Sequence, residues 1–324
     1  MIQSSTSGRV AALETRVVAS FPVCREHVAL EFVADHFPPS TPGQFLQVQC
    51  AGCASGSPSS ARWSQGPAPA RSAADQPFLR RPFSIADRWT DAAGGVHLAV
   101  ISRTVGRGTA WLESLRPGDT LNVTGPLGRG FRIPEQDVPL VLIGGGVGIP
   151  PMLYLARRLH ELGRREVCII FGATTRDLLP VALRSEPPRD GGAAPCVVLP
   201  GGAEFLAMVT SDDGSVGMRG VVTDALAAWH SRRGGASAEV RGQVFACGPE
   251  GMLKAVAALT RRLGLACQVC IERTMGCGLG TCLSCVVRRR DPGRPSGWSW
   301  ALACSDGPVF DRDELLDYDL PATA

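Results

Sequence analysis

The stretch CGLGTCLSC at residues 277–285 limits what this chain can fold into more than any other. Its cysteines Cys277, Cys282 and Cys285, answered later by Cys304, read C-x4-C-x2-C…C, the plant-type ligand spacing of a 2Fe-2S cluster. Four thiolates have to converge on two irons, so the loop between the first two must wrap closely. Gly278 and Gly280 allow that, because a residue without a Cβ tolerates positive φ and lets backbone N–H groups turn inward. Two other readings compete. A structural zinc site would pair two C-x2-C knuckles, Cys282/Cys285 with Cys267/Cys270. Alternatively the thiols are scattered core residues, since free cysteine packs as a small hydrophobe. The two-glycine loop favours the cluster, because a zinc knuckle has no use for it.

Twelve cysteines in 324 residues are unusual for a cytosolic enzyme unless some hold metal. The length suits two ordinary domains, and 44% hydrophobic with 19% charged residues is a globular balance. With 33 basic against 30 acidic side chains, neither nucleic acid nor an anionic membrane is expected as the main partner. Residues 1–8 are polar and lack an apolar core, so no secretory signal is read, and no apolar run reaches membrane-spanning length. A cytoplasmic protein is expected.

In the first half, short apolar or alternating runs at 9–20, 27–33 and 44–49 are punctuated by proline and glycine, the pattern of antiparallel strands. Residues 50–78 break it. They are rich in Ala, Ser, Gly and Pro and hold too little aliphatic bulk to offset their ordering entropy, which predicts a mobile insertion with Cys50 and Cys53 as a loose thiol pair. Strands resume at 80–86, 96–105 and 120–124, with a short helix from Gly106 to Leu115. Six strands and one helix predict a small Greek-key barrel. Arg81 and Ser84 are three residues apart, hence on opposite strand faces unless Pro82 bends the chain. The Gly106-x-Gly108–Thr109 turn before a helix offers free N–H groups and a hydroxyl to a pyrophosphate, or is simply a loop with an N-cap threonine.

In the second half, a buried strand at 138–143 runs into the glycine turn 144–148 and a helix through Leu162. Further strand and helix segments follow at 166–171 with 174–183, 196–199, 204–209, 221–232, 243–247 with 249–263, and 267–272. Alternation of this kind predicts a doubly wound parallel sheet whose ligands lie beyond the carboxyl ends of its strands. The turn is not a true G-x-G-x-x-G, and no acidic residue stands at the ribose-clamp position. Residues 144–148, 174–176 and 247–250 all fall at strand exits.

The motifs PGQF (42–45), RPFS (81–84), G-x-GT (106–109), GPLG (125–128), GGG-x-G-x-PP (144–151), DDGS-x-G (212–217), CGP-x-GM (247–252) and the four-cysteine motif with DGP (306–308) occur in an informative order. In that order the chain resembles the electron transfer subunits of B-type dihydroorotate dehydrogenases, within the ferredoxin–NADP reductase superfamily, from about residue 9 to 320 with 50–78 set aside. The resemblance implies an N-terminal FAD-binding barrel (9–135), an NAD-binding α/β domain (136–266) and a C-terminal 2Fe-2S segment (267–324). It implies FAD contacts at Arg81, Pro82, Phe83, Ser84, Ile101, Ser102, Arg103, Gly108 and Thr109. Phe83 stands where an aliphatic residue is common. NAD(H) contacts are implied at Gly144, Gly145, Gly146, Gly148, Cys247, Gly248 and Pro249, and cluster ligands at Cys277, Cys282, Cys285 and Cys304.

Nicotinamide moves electrons as a hydride pair, an iron–sulfur cluster takes one at a time, and flavin does both, so FAD is expected between them. No acid–base residue is required for hydride transfer; Glu272 and Cys247 are candidates for positioning. The implied partner is an FMN-containing dihydroorotate dehydrogenase catalytic subunit in a two-plus-two heterotetramer, with pyrimidine biosynthesis as the setting. A small subunit of an NAD(P)-ferredoxin transhydrogenase or of a hydrogenase diaphorase module shares the same plan, and a scaffold with structural zinc is the non-enzymatic alternative. Arg176 leaves a 2′-phosphorylated nucleotide open.

Overall fold

The computed structural model describes residues 10–50, 77, 79–234 and 241–318. The mobility expected of the insertion, and Cys53 with it, lies outside the described residues. Cys50 does not belong to a loose pair: it is fully buried in the barrel core, and burial pushes its thiol up to about 11.

The first sheet contains β1 (Ala11–Cys24), β2 (His27–Ala34), β3 (Phe45–Val48), β4 (Arg81–Ser84), β5 (Asp87–Thr90), β6 (Val96–Arg103) and β7 (Thr120–Leu127). Its order is β4-β3-β7-β1-β2-β6-β5, antiparallel throughout, with α1 (Arg107–Ser114) between β6 and β7. It has seven strands where pattern predicted six. The run 80–86 continues past its expected end: β4 pairs with β3, β5 pairs with β6, and the chain crosses between sheet edges at Ile85 and Ala86. Alternate residues such as Leu46, Val48, Leu98, Val100, Leu121 and Val123 fill the barrel.

The second sheet begins with β8 (Leu140–Gly145), followed by α2 (Ile149–Glu161), β9 (Val167–Ala173), β10 (Ala194–Val198), β11 (Glu204–Ser211) and the short β12 (Met218–Arg219). Then come α3 (Val222–Arg232), β13 (Gln243–Cys247), α4 (Glu250–Arg262) and β14 (Ala266–Cys270). Strands β11-β9-β8-β13-β14 are parallel. α2 packs on one face, and α3 and α4 on the other, so the sheet is doubly wound. Two expectations change. Residues 174–183 form no helix beyond a 3-10 turn at Arg176–Leu178, because Pro180 disfavours the α conformation at Leu179. The segments 196–199 and 204–209 form an antiparallel hairpin at the sheet edge.

After Cys270 the chain leaves the sheet for the cysteine loop and the hairpin β15 (Val286–Arg290) and β16 (Trp298–Leu302). It returns as β17 (Val309–Asp311), antiparallel to β14. A cut at 266/267 would therefore separate β14 from its own sheet. Among the described residues no helix is long and apolar enough to cross a membrane.

Candidate active site

The strand order of the second sheet reverses between β8 and β13, where Gly144 stands opposite Cys247. That is the switch point of a doubly wound sheet, where helices leave in opposite directions and a crevice opens. A cleft of about 420 Å³ lies there, walled on the barrel side by Pro82, Phe83 and Ser84 of β4 and by Ile101, Ser102 and Arg103 of β6. Thr109 of α1 joins them, and the sheet contributes Gly146, Gly148, Cys247, Gly248 and Pro249. Arg81, Gly108, Gly144 and Gly145 do not line it.

The glycines divide by what surrounds them. A Cβ on Gly148 would lie 2.2 Å from the Cys247 carbonyl oxygen, and one on Gly145 would lie 2.6 Å from Met252 Sδ. Those two are glycine so that the β8–α2 turn can press against the β13 exit. Gly146, at φ +53° with open space beside it, is the member of the turn that faces outward. The turn thus aims the start of α2 at the cleft, as an anion-binding helix end requires.

On the barrel side, β4 is a regular strand and Pro82 does not bend it: Arg81 pairs with Val48 and Ser84 with Phe45. The stem of Arg81 crosses Gly108, whose Cβ would meet Arg81 Cγ at 3.1 Å, and its guanidinium donates to the Leu79 carbonyl at 2.8 Å. Arg81 therefore carries a cation to the N-terminal turn of α1, while Arg103 is ion-paired with Glu26 at 2.8 Å. The Thr109 hydroxyl accepts from the N–H groups of Val105 and Gly106 at 2.9 and 3.1 Å, closing its own turn.

The thiols fall into two groups. Cys267 and Cys270 lie three apart on β14 and face opposite cores, so they form no knuckle for zinc. Among the described residues no three His, Cys, Asp or Glu side chains converge on one point. Among the four motif cysteines, Cys282 neighbours Cys277 and Cys304 neighbours Cys285, with Cys277 also near Cys304. Four thiolates from one loop and one returning segment are the donor set that a two-iron cluster takes. The loop is built for thiolates. Slight burial works to raise Cys277, but the Thr281 hydroxyl and the N–H groups of Leu279 and Cys282 outweigh it and bring the thiol down to about 5. The Leu279 N–H reaches Cys277 Sγ at 3.3 Å. Ser284 lowers Cys282, while burial and the adjacent Cys285 push Cys304 up to about 12. Gly278 at φ +73° and Gly280 at φ +87° make this winding possible, as expected. The donor set fits the cluster.

Several cleft residues escaped sequence reasoning. Phe45, Cys270, Ile271, Arg273, Met275 and Pro308 line it, together with Glu272. The DGP and PGQF motifs held a signal for Pro308 and Phe45; the others come from a chain segment with no glycine turn to flag it. At the β9 exit, Arg176 is paired with Glu186 at 2.6 Å, and its N–H donates to Ser215 Oγ at 2.8 Å. Asp213 accepts from the same Ser215 hydroxyl at 2.6 Å. An acidic residue therefore does stand at this strand exit, brought from the β11 exit rather than from the local sequence.

Residues 272–316 match the family described as the iron-sulfur cluster binding domain of dihydroorotate dehydrogenase B, and residues 142–258 match the oxidoreductase NAD-binding domain. The dihydroorotate dehydrogenase B (NAD(+)), electron transfer subunit of Caldanaerobacter subterraneus subsp. tengcongensis is 31% identical over 278 residues, covering 85% of this chain and 87% of that one. Its counterpart in Geobacillus thermodenitrificans is 35% identical over 283 residues, covering 85% and 86%. The solved structure of an NADH-dependent reduced ferredoxin-NADP oxidoreductase superposes with a TM-score of 0.67 over 93% of this chain and 89% of that one. Its 24% identity makes this a likeness of fold.

Proposed function

The chain belongs to the dihydroorotate dehydrogenase B (NAD(+)) electron transfer subunit family, and on that premise we propose that it relays electrons to NAD+. Their source is an FMN-containing, dihydroorotate-oxidising catalytic subunit, their route a 2Fe-2S cluster and FAD, and their setting pyrimidine biosynthesis. The observation that carries this is the position of Phe45. It lines the switch-point cleft, and Gln47, two residues on in the same strand, lies against Gly278 of the cysteine loop, so β3 reaches from the cleft to that loop.

FAD, when bound, exchanges hydride pairs with nicotinamide and single electrons with iron. The chain's task is placement. Arg81 and the N-terminal turn of α1, with Gly108 and Thr109, receive the flavin pyrophosphate. Pro82, Phe83 and Ser84 hold the ring system with Ile101, Ser102 and Arg103. The turn from Gly144 to Gly148 and the exit of Cys247, Gly248 and Pro249 receive NAD(H), Gly144 and Gly145 acting by packing the turn rather than by touching the nucleotide. Phe83, Ile101 and Ile271 give the cleft an apolar lining that would keep water from bound cofactors. Glu272 and Cys247, both at the cleft, orient the nicotinamide. Cys277, Cys282, Cys285 and Cys304 would hold the cluster through their thiolates. The pairing of Arg176 with Glu186, next to Asp213, favours an unphosphorylated ribose and hence NAD over NADP.

In this assignment the barrel of residues 9–135 is the flavin domain, the second sheet through β14 is the nucleotide domain, and the segment after Cys270 carries the cluster. The assembly is a two-plus-two heterotetramer in the cytoplasm, a compartment that suits eleven free thiols among the described residues. Purification alone and with the catalytic subunit tests the reading. The isolated chain is expected to show flavin and iron–sulfur absorption, and the complex to reduce NAD+ with dihydroorotate. A colourless chain, or a complex that consumes dihydroorotate without reducing NAD+, overturns it.

A further inference from the structure

β3 stands between two environments. Leu46 and Val48 point into the barrel, whereas Phe45 belongs to the separate apolar core that also takes in Cys285 and Cys304. By strand alternation Gln47 shares that outer face. It is 0% exposed, and among the described residues neither its Nε2 nor its Oε1 has a hydrogen-bond partner. The cysteine loop covers it. A Cβ on Gly278 would lie 2.5 Å from Gln47 Nε2 and 2.6 Å from its Cγ, so residue 278 is glycine partly because the amide occupies that space. Gly278 directly follows Cys277.

A buried amide with both ends unpaired is strongly unfavourable, and native structures rarely tolerate one without a hidden partner. An apolar side chain would serve a barrel wall better. The position of the amide against a loop of thiolates supplies the missing acceptor.

We propose that the Gln47 side-chain amide donates a hydrogen bond to a sulfur of the cluster held by the Cys277 loop, and thereby sets the cluster's reduction potential. The inference rests on the reading of Cys277, Cys282, Cys285 and Cys304 as cluster ligands. Cluster sulfurs accept hydrogen bonds, so the donor end of the amide faces the loop, and Nε2 is the atom that a Cβ on Gly278 would meet first. Such a bond stabilises the more negative, reduced cluster and raises its potential, one of the recognised means of tuning these centres. Gln47 supplies no ligand, so it acts as a positioning residue: it adjusts the driving force between flavin and iron without being needed to load either.

The test is an EPR-monitored redox titration of the anaerobically purified chain, comparing the native protein with Gln47→Met and Gln47→Glu. Met keeps the length and removes the donor; Glu keeps the shape and replaces the donor by an anion. Both variants are expected to move the cluster potential to more negative values, Glu further than Met, with iron, sulfide and flavin contents unchanged. Pulsed EPR of the reduced native cluster, in protein labelled with ¹⁵N at glutamine side-chain amides, is expected to show a coupling that Gln47→Met abolishes. Should the variants take up no cluster, the presence or absence of that coupling in the native protein decides. A loaded native cluster whose potential is unmoved by both substitutions, or which lacks the ¹⁵N coupling, overturns the role of Gln47. A native chain that binds no cluster overturns instead the ligand assignment beneath it.

Discussion

Cys247 with Cys270 and Cys277 with Cys282 are two cysteine pairs joined by one short stretch of chain, and their environments drive Cys247 and Cys277 in opposite directions. The first pair lies in register across β13 and β14, buried in the sheet core at the edge of the cleft. The mutual hydrogen bond and burial push the Cys247 thiol well above its ordinary value. The second pair lies in a partly exposed loop whose hydroxyl and N–H groups draw Cys277 down to about 5. Residue type is the same; what differs is whether the surroundings solvate the anion. A sheet interior has spent its N–H groups on the ladder, whereas a loop wound through positive-φ glycines still has them to offer. The loop is therefore ready to hold metal, whereas Cys247 stays a protonated thiol at the edge of the cleft.

Removing one member of each pair breaks the comparison most sharply. Cys277→Ser is expected to lower iron and acid-labile sulfide by about tenfold or more, measured on anaerobic protein, and to abolish electron transfer from the partner to NAD+. Cys270→Ser is expected to leave iron content unchanged. If Cys270→Ser lost the cluster as completely, the division between the pairs would be wrong.

The next effect is at the sheet exit. Gly148→Ala drives a methyl group into the Cys247 carbonyl, and the backbone has no flexible side chain to yield. A loss of about 3 kcal/mol is expected in denaturant unfolding, together with weakened NAD(H) binding. Gly146→Ala should bring no such steric clash, because open space lies beside Gly146; its cost is the strain of a positive φ, about 1 kcal/mol.

Buried thiols away from the loop give the comparison a pH axis. Burial lifts Cys267 and Cys168 from near 9 to about 12 and Cys50 to about 11. Folded values above the unfolded one mean that their contribution to stability is whole below pH 9. It drains as pH rises toward 12. Unfolding free energy measured across that window should fall, and Cys267→Ala should flatten the fall. In metal-free protein at neutral pH, iodoacetamide should label Cys277 while sparing Cys267; equal labelling would contradict the contrast. Cys270→Ser itself is expected to cost about 2 kcal/mol of stability, for a buried hydroxyl in an apolar setting.

Much of the site was legible before any fold was known. The spacing of Cys277, Cys282 and Cys285 and the glycines between them report on a single loop, where each residue's neighbours in sequence are its neighbours in space. The strand–turn–helix at 140–161 was legible for the same reason. The run 174–183 misled because a proline inside a helical-looking segment was outweighed by its composition. Residues that act across elements left little or no local signal. Cys267 and Cys270 look like a knuckle on paper, but strand alternation sends them into different cores.

By itself the sequence determined most of the element types and the spacing of the candidate ligands, because periodicity and short spacings are local properties that backbone geometry reads directly. Only the tertiary structure decided that β8 and β13 adjoin at the switch point, that Glu186 neutralises Arg176, and that the cysteine loop folds over the buried amide of Gln47. Those pairings bring together residues far apart in the chain. They depend on strand order and on which faces meet, and no window of neighbouring residues encodes either.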